Sequence, residues 1–238
     1  RLNRELRKVS GREQLMSAKI KDELRALGRY MIDNQLVWGS SGNISARIGE
    51  DRFLISASGA WLGDLSRDDL VECSISDSRA LGERKPSKEF LLHREIYAMR
   101  PEINAVIHSS PFYSTLIACT KEPVFNNWFV ESMYYLERVG RVGYSHPGSD
   151  ELAESVKREI MGANALFMEN HGVLVCDTSI KEARMALHTL EVMCRMIIAS
   201  KSAGLEIQTI PDEMVEDFLT NSGYRPRRRW PNDRRSGR

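Results

Sequence analysis

The sequence lacks an apolar run long enough to cross a bilayer. Its uninterrupted apolar stretches fall short of the ~20 residues that a spanning helix needs. A signal peptide is not recognisable either, and no internal repeat or low-complexity segment occurs before the last residues. These absences favour a cytoplasmic protein with no membrane partner.

Cysteine is scarce, and its four copies are widely spaced. They are Cys73, Cys119, Cys176 and Cys194. They form no Cys-x-x-Cys pair, the spacing typical of a zinc ribbon or a dithiol redox site. Because each lies in an apolar segment, we interpret them as reduced core residues, as expected in the cytoplasm.

A large excess of one charge is also missing, because the whole chain has a formal net charge of +1. Residues 225–238 carry seven Arg and one Asp, a charge of +6, which leaves −5 for residues 1–224 when subtracted from +1. A body with that balance argues against nucleic acid as a partner. We predict a single domain over residues 1–224, followed by a basic, disordered tail over residues 225–238.

Helical and strand patterns alternate along the whole chain. Residues 1–38 are predicted as a helix, because apolar side chains recur there at spacings near three and four. Short apolar runs such as 53–56 and 105–108 have the length of strands. This mixture predicts an α/β or α+β protein in which helices cover a mainly antiparallel or mixed sheet.

Two of the apolar runs end in histidine, at His108 and at His171, and a predicted helix from Ser87 brings Glu89 into its first turn. A carboxylate and two histidines at strand ends, from three separate segments, could converge on one metal ion. The alternative for Glu89 is the common carboxylate at the third position of a helix, which stabilises the helix start.

Two loops of small residues could bind an anion. Residues 38–45 and 57–60 are rich in Gly, Ser and Asn, and such loops can present several N–H and hydroxyl donors to one anion. A helix end followed by a turn would use the same glycines, so each loop alone leaves both interpretations open.

With these motifs in place, the chain resembles the class II aldolase/adducin family over about residues 13–224, in segment order as well as in motif. The matching motifs are Gly42-Asn43-Ile44-Ser45, Ser58-Gly59, Pro86-Ser87-Lys88-Glu89, Arg100-Pro101 with His108, and Asn170-His171-Gly172. The resemblance implies a three-layer αβα fold with a central, mainly antiparallel sheet flanked by helices. It also implies a homotetramer whose active sites lie between subunits.

Enzymes of this family hold a divalent metal ion with three histidines, and the resemblance assigns His108 as the first and His171 as the third. Zinc is the expected metal, with manganese, iron or cobalt as alternatives. Ser110 stands at the second position, and a hydroxyl is a poor ligand beside imidazole. We therefore expect weaker zinc binding or a replacement ligand, for which His146 is the candidate; a surface histidine before a proline is its alternative role.

The resemblance also assigns roles to other residues. Glu89 matches the catalytic acid/base, which can also bind the metal, and Tyr134 and Tyr224 would supply protons or orient substrate across the subunit interface, unless they only pack there. The phosphate or carboxylate of the substrate would lie at positions that match or neighbour the family's phosphate site: Asn43, Ser58, Gly59, Ser87 and Lys88. We assign packing or surface roles to His93 and His188.

The predicted function is a metal-dependent carbon–carbon lyase acting on a small anionic hydroxy-carbonyl substrate through a metal-stabilised enolate. Residues 134–140 and Lys88 are similar to the decarboxylase branch of the family, so aldol cleavage and decarboxylation both remain open. Either reaction leaves an electron pair that a Lewis acid can stabilise. The alternative is a non-catalytic, adducin-like assembly module with a degenerate metal site; the presence of Glu89, His108 and His171 together favours the enzyme.

Overall fold

The chain folds around one seven-stranded sheet. The computed structural model describes the backbone of residues 2–223, 228, 230 and 231, and the side chains of these residues from 14 onward. The strands are β1 Asn43–Arg47, β2 Arg52–Ser56, β3 Leu70–Ser74, β4 Ala105–Ser109, β5 Val139–Val142, β6 Ala165–Met168 and β7 Gly172–Asp177. The helices are α1 Leu2–Asp33, α2 Phe90–Met99, α3 Phe112–Ala118, α4 Val130–Tyr135, α5 Asp150–Glu159, α6 Ile180–Ala203 and α7 Asp212–Asn221.

The strand order is β3-β2-β1-β4-β7-β6-β5, and every neighbouring pair is antiparallel except β5 with β6. The centre of the sheet is therefore β4, between β1 and β7. Its register places His108 opposite Asn43 on one side and opposite Leu174 on the other. The sheet is mainly antiparallel, as predicted.

Side chains of β4 alternate between two cores, as a sheet covered on both faces requires. Ala105 and Ile107 pack in the core with α1 and α6, whereas Val106 packs in the core with α2 and α5. Helices thus cover both faces, which confirms the predicted three-layer αβα class. Because side-chain direction alternates along a strand, His108 lies on the same face as Val106, beside α2.

The first helix ends at Asp33, earlier than the predicted residue 38. The N–H of Leu36 donates to Met31 O at 2.8 Å, the N–H of Gln35 donates to Ile32 O at 3.1 Å, and Gln35 has a φ of 56°. This pair of hydrogen bonds is the Schellman helix ending. The sequence did not indicate it, because glutamine occupies the left-handed position where glycine is usual. No helix within the described residues has the length and apolar character needed to cross a membrane.

Three of the four cysteines lie in the core. Cys73, Cys176 and Cys194 are buried and free, and burial raises the pKa of each thiol to about 12. Cys119 is free but exposed, so its prediction as a core residue was wrong. It follows the last residue of α3, where the helix end faces solvent.

Most of the predicted tail, residues 225–238, lies outside the described residues, so its order and the domain boundary stay predictions. Two described residues in this range pack against the domain. The guanidinium of Arg228 pairs with Asp177 at 2.5 Å, and the indole N–H of Trp230 donates to Glu137 Oε1 at 2.9 Å. Trp230 is only 2% exposed, which a solvated tail residue would not be.

Candidate metal and catalytic site

Glu89 lies immediately before α2 and makes no side-chain cap hydrogen bond there. The predicted helix start at Ser87 is three residues too early, because the segment before α2 continues along the sheet. Pro86 forms a bridge with Ala57, and the N–H of Ser87 donates to Ser56 O at 3.0 Å. Glu89 is buried, at 7% exposure, and its side chain makes no cap hydrogen bond, so a helix-capping role does not explain it.

The structure brings Glu89 between His108 and His171. The Nε2 atom of His108 lies 3.3 Å from Glu89 Oε2, and the Nε2 atom of His171 lies 3.3 Å from Glu89 Oε1. The two imidazole ring centres are 4.7 Å apart. His108 Nδ1 lies 3.1 Å from Val173 O, so Nδ1 carries a hydrogen and donates to that oxygen, and Nε2 is the ring atom that faces the carboxylate.

His171 owes its position to a tight turn before β7. Asn170 has a φ of 55° and Gly172 a φ of 157°. A Cβ atom at Gly172 would lie 2.5 Å from Ser109 O and 2.9 Å from Ser110 Oγ. Only glycine allows β7 to begin this close to the end of β4. The turn therefore sets the distance between the two histidines.

The donor set of Glu89, His108 and His171 fits a divalent cation. One ligand atom from each lies within 4.8 Å of the others. Glu89 Oε1 is buried without a hydrogen-bond partner, an arrangement that is costly for a carboxylate unless a cation or a proton satisfies it. Burial, with a smaller contribution from His108, lowers the pKa of His171 below its usual range, against the attraction of Glu89. Imidazole binds metals in its neutral form.

Ser110 and His146, the candidates for the missing ligand, have other partners. The hydroxyl of Ser110 donates to the main-chain oxygen of His171 at 3.2 Å. His146 is exposed, and its Nδ1 lies 3.1 Å from the hydroxyl of Tyr144. Among the His, Cys, Asp and Glu side chains that the structure describes, the ligand cluster contains neither His146 nor a fourth member. A role for either residue in metal binding stays a prediction.

Four of the five predicted anion-binding residues lie together. The turn after β2, which contains Ser58 and Gly59, runs beside the segment that contains Ser87 and Lys88. The N–H of Ser58 donates to Lys85 O at 3.0 Å. Ser58, Gly59 and Lys88 are exposed, and Ser87 is largely buried. A Cβ atom at Gly59 would meet nothing within 4 Å, so this side of the turn is open to a ligand.

Asn43, the fifth predicted anion-binding residue, has a different environment. It is 5% exposed, and its Nδ2 donates to Glu89 Oε2 at 2.8 Å. Its Oδ1 lies 2.5 Å from His93 Nε2. The structure thus joins Asn43 to the Glu89 carboxylate, and its role in anion binding stays a prediction.

Tyr134 is not brought to the histidines within this chain. It lies in α4, its ring packs against Tyr135 at 4.8 Å, and its main-chain oxygen accepts from Arg228. Arg228 also pairs with Asp177, at the opposite end of β7 from His171. Tyr224 lies outside the described residues. Their predicted roles concern a subunit interface and stay predictions.

His93 is the site residue that sequence reasoning underestimated. It was assigned to packing or the surface, yet it is 0% exposed and both of its ring nitrogens have polar partners. The available signal was spacing: Glu89, His93 and Tyr97 recur every four residues and so share one helix face. His188 bonds with the hydroxyl of Tyr30 at 2.6 Å, away from this cluster.

Comparison with known proteins agrees with the fold. The family described as Class II Aldolase and Adducin N-terminal domain matches residues 22–198. The 3-oxo-tetronate 4-phosphate decarboxylase of Haemophilus influenzae is 30% identical over 207 residues, covering 85% of this chain and 97% of that protein. The L-fuculose phosphate aldolase of Methanocaldococcus jannaschii is 30% identical over 171 residues, covering 71% and 91%.

Solved structures give the same result. YgbL from Escherichia coli superimposes with a TM-score of 0.79 at 23% identity, covering 84% of this chain and 98% of that chain, which shows the shared fold. An L-fuculose 1-phosphate aldolase superimposes with a TM-score of 0.76 at 27% identity, covering 83% and 93%. The match of most of the sequence, together with these relatives, shows that the chain belongs to the class II aldolase and adducin N-terminal domain family.

Proposed function

We propose that this protein is a metal-dependent carbon–carbon lyase that acts on a small phosphorylated hydroxy-carbonyl compound, by aldol cleavage or by decarboxylation. Relatives named as aldolases and as a decarboxylase support a lyase-type function. The observation that carries the proposal is the buried Glu89 carboxylate, set between two imidazole nitrogens with Oε1 unpartnered.

Glu89, His108 and His171 are the residues that would hold the divalent cation, and nitrogen and oxygen donors of this kind suit zinc first, with manganese, iron or cobalt as alternatives. When bound, the cation would supply a Lewis acid that stabilises the negative charge developing on the substrate oxygen. The hydrogen bond between His108 Nδ1 and Val173 O fixes the ring orientation that this binding needs.

Glu89 has the geometry of an acid/base in which the two oxygens have different roles. Its Oε2 is held by the amide of Asn43, whereas Oε1 has no hydrogen-bond partner. Cleavage of a carbon–carbon bond leaves an electron pair on carbon, and a positioned acid must return a proton to it. We assign the proton to Oε1 in the substrate-bound state, in which Glu89 would no longer hold the cation, because Oε2 is already engaged by Asn43.

The phosphate of the substrate would bind at the exposed turn formed by Ser58, Gly59 and Lys88, beside Ser87. Main-chain N–H groups, a hydroxyl and an ammonium suit a phosphate dianion. Relatives whose names include 3-oxo-tetronate 4-phosphate and L-fuculose phosphate support a phosphorylated substrate. Lys88 and Glu89 are adjacent in the chain. A substrate whose phosphate binds at this turn could therefore place its carbonyl group near Glu89.

The active form is proposed to be a homotetramer, in which Tyr134 and Tyr224 would complete the site of a neighbouring subunit. Large apolar side chains are exposed in stripes at four-residue spacing on α3 and on α6: Phe112, Leu116, Val192 and Met196. Exposed large apolar side chains grouped in this way commonly mark an interface, which supports an oligomer.

A product assay tests the proposed function, with protein purified without a polyhistidine tag. Ketose 1-phosphates and phosphorylated 3-oxo acids are offered, and aldehyde and carbon dioxide release are measured separately. We expect one of the two products, and loss of turnover in Glu89→Gln, which keeps the side-chain shape but removes the base. Glu151→Gln on the exposed face of α5 is the matched control. Parental turnover in Glu89→Gln, or metal-loaded protein inactive on every compound, would contradict the proposal.

A further inference from the structure

A row of hydrogen bonds runs from Glu89 into the core, away from the open side of the site. Asn43 Nδ2 donates to Glu89 Oε2 at 2.8 Å, and Asn43 Oδ1 lies 2.5 Å from His93 Nε2. Ser45 Oγ lies 2.7 Å from His93 Nδ1 and 2.8 Å from the hydroxyl of Tyr97. All five side chains are buried.

Chemistry fixes the direction of every bond in this row. An ionised Glu89 oxygen only accepts, so the amide of Asn43 must turn its NH₂ group toward it and its oxygen toward His93. His93 must then carry its hydrogen on Nε2, which leaves Nδ1 to accept from the hydroxyl of Ser45. The oxygen of Ser45 can in turn accept from Tyr97.

The row joins one helix face to one strand face. Glu89, immediately before α2, and His93 and Tyr97 within it are spaced four residues apart, so they share one helix face. Asn43 and Ser45 are two residues apart in β1 and so share the strand face toward α2. Both elements are regular and are packed in the core, so the five groups cannot shift independently. A buried polar network in which every member has a partner fixes a single arrangement.

The imidazole of His93 does not gain a proton in ordinary conditions. Burial, with a smaller contribution from His108, lowers the pKa of His93 to about 3. A neutral ring has one donor and one acceptor nitrogen, and here each has a partner of the opposite kind. His93 is therefore held in one tautomer and one orientation, and it can in turn hold the amide of Asn43.

We propose that His93 is a positioning residue for the reaction: acting through Asn43, it holds Oε2 of Glu89 and thereby aims Oε1 at the substrate. The proposal rests on the proposed function, since it assumes that Glu89 transfers the proton. It assigns Asn43 a role in orienting the carboxylate, besides the predicted role in anion binding. The hydrogen bonds of Ser45 with His93 and with Tyr97 hold His93 in the Nε2–H tautomer.

The first test needs no substrate. Nitrogen-15 NMR of histidine-labelled, metal-loaded protein identifies His93 by the loss of its signals in His93→Gln. We expect the neutral Nε2–H tautomer, unchanged between about pH 5 and about pH 9. A neutral Nδ1–H tautomer would overturn the proposal, because Asn43 would then turn its oxygen toward Glu89. A ring that titrates in this range would overturn it as well.

The second test separates positioning from packing. His93→Leu fills the space without a donor, whereas the amide of Gln in His93→Gln can donate to Asn43 and accept from Ser45. For His93→Leu we expect kcat to fall about 10- to 100-fold with KM and metal content near the parental values, and we expect His93→Gln to recover most of kcat. His188→Leu, the same change outside the site, is the control. Equal kcat for the Leu and Gln variants would overturn the proposal.

A double-mutant cycle then tests the route through Asn43. If His93 acts through Asn43, adding His93→Leu to Asn43→Ala lowers kcat little further, whereas independent effects would multiply. Ser45→Ala, which removes one hydroxyl group, gives the same comparison if His93→Leu does not fold. Loss of turnover in Glu89→Gln with parental kcat in the His93 variants would overturn only the positioning role. Parental turnover in Glu89→Gln would instead overturn the proposed function itself.

Discussion

At the scale of single residues, the site depends on which partner each polar atom has. Glu89 Oε2 accepts a hydrogen bond from the amide of Asn43, and His108 Nδ1 donates to a main-chain oxygen. Glu89 Oε1 has no hydrogen-bond partner. The unpartnered oxygen and Nε2 of His108 face the same small space. A cation there would satisfy both atoms at once, which is why we place the metal between Glu89 and the histidines.

Ser110 is the residue at which this site departs most from the three-histidine pattern of the family. We expect Ser110→His to tighten metal binding by about tenfold or more, because an imidazole is a far better ligand than a hydroxyl. His146→Ala should leave the affinity unchanged, since His146 is exposed and bonds to Tyr144. Competition with a chelator measures both. A strong loss of metal affinity in His146→Ala, without a gain of affinity in Ser110→His, would mean that His146 already binds the metal.

At the scale of elements, the strand ends were predictable and the turns were not. His108 is correctly predicted near the end of β4, because an apolar run of strand length stops there. His171 lies instead in the turn between β6 and β7, so its prediction as the last residue of a strand was wrong. The start of α2 was placed too early, because the bridge between Pro86 and Ala57 depends on a strand distant in sequence. The row behind Glu89 was missed for a similar reason: it needs the packing of α2 on β1, which no local pattern reveals.

The turn before β7 gives a prediction at this scale. Gly172→Ala should lower the free energy of unfolding by about 1–3 kcal/mol, because its Cβ would meet Ser109 O at 2.5 Å. It should also weaken metal binding, since relief of the contact moves His171 away from His108. Denaturant unfolding and chelator competition measure the two effects.

Gly204→Ala is the matched control for this prediction. Gly204 also has a left-handed φ, 66°, but a Cβ atom there would meet nothing within 4 Å. Gly204→Ala should lower the free energy of unfolding by about 1 kcal/mol, through backbone strain alone. Its metal affinity should be unchanged. Equal effects of the two substitutions on metal affinity would show that the close approach at Gly172 does not set the site.

At the scale of the whole molecule, Arg228 and Trp230 pack against the end of the sheet that lies away from the histidines. The guanidinium groups of Arg100 and Arg138 lie over the ring of Trp230, 4.9 and 4.5 Å from its centre, and the indole N–H donates to Glu137. Arg228 pairs with Asp177, the last residue of β7. Composition predicts a solvated basic tail over residues 225–238, because seven arginines dominate this range. It does not reveal that Trp230 is buried against the domain.

Trp230 therefore offers a test of how the end of the chain is held. Trp230→Ala should lower the free energy of unfolding by about 3–5 kcal/mol, the usual cost of removing a buried tryptophan. Trp61→Ala, at a position 54% exposed, should change it by about 0.5 kcal/mol or less. Denaturant titration compares the two variants. Similar small effects would show that Trp230 does not pack on the domain in solution.

Assembly belongs to the same scale. We expect a homotetramer by light scattering at micromolar concentration, because α3 and α6 expose apolar stripes and the proposed site needs tyrosines from a neighbour. Phe112→Glu on the α3 stripe should shift the protein toward smaller species and lower turnover together, while the exposed Glu151→Gln should change neither. A fully active monomer would contradict this account of the site.

We expect Glu89, His108 and His171 to hold one divalent metal ion, and elemental analysis of untagged protein tests this site most directly. We predict about one divalent ion per chain in the parent protein. The His108→Ala/His171→Ala double variant should lose it while keeping its circular dichroism spectrum, and His188→Ala should retain it. Stoichiometric metal retained by the folded double variant would contradict the claim, as would a parent protein that binds no divalent metal.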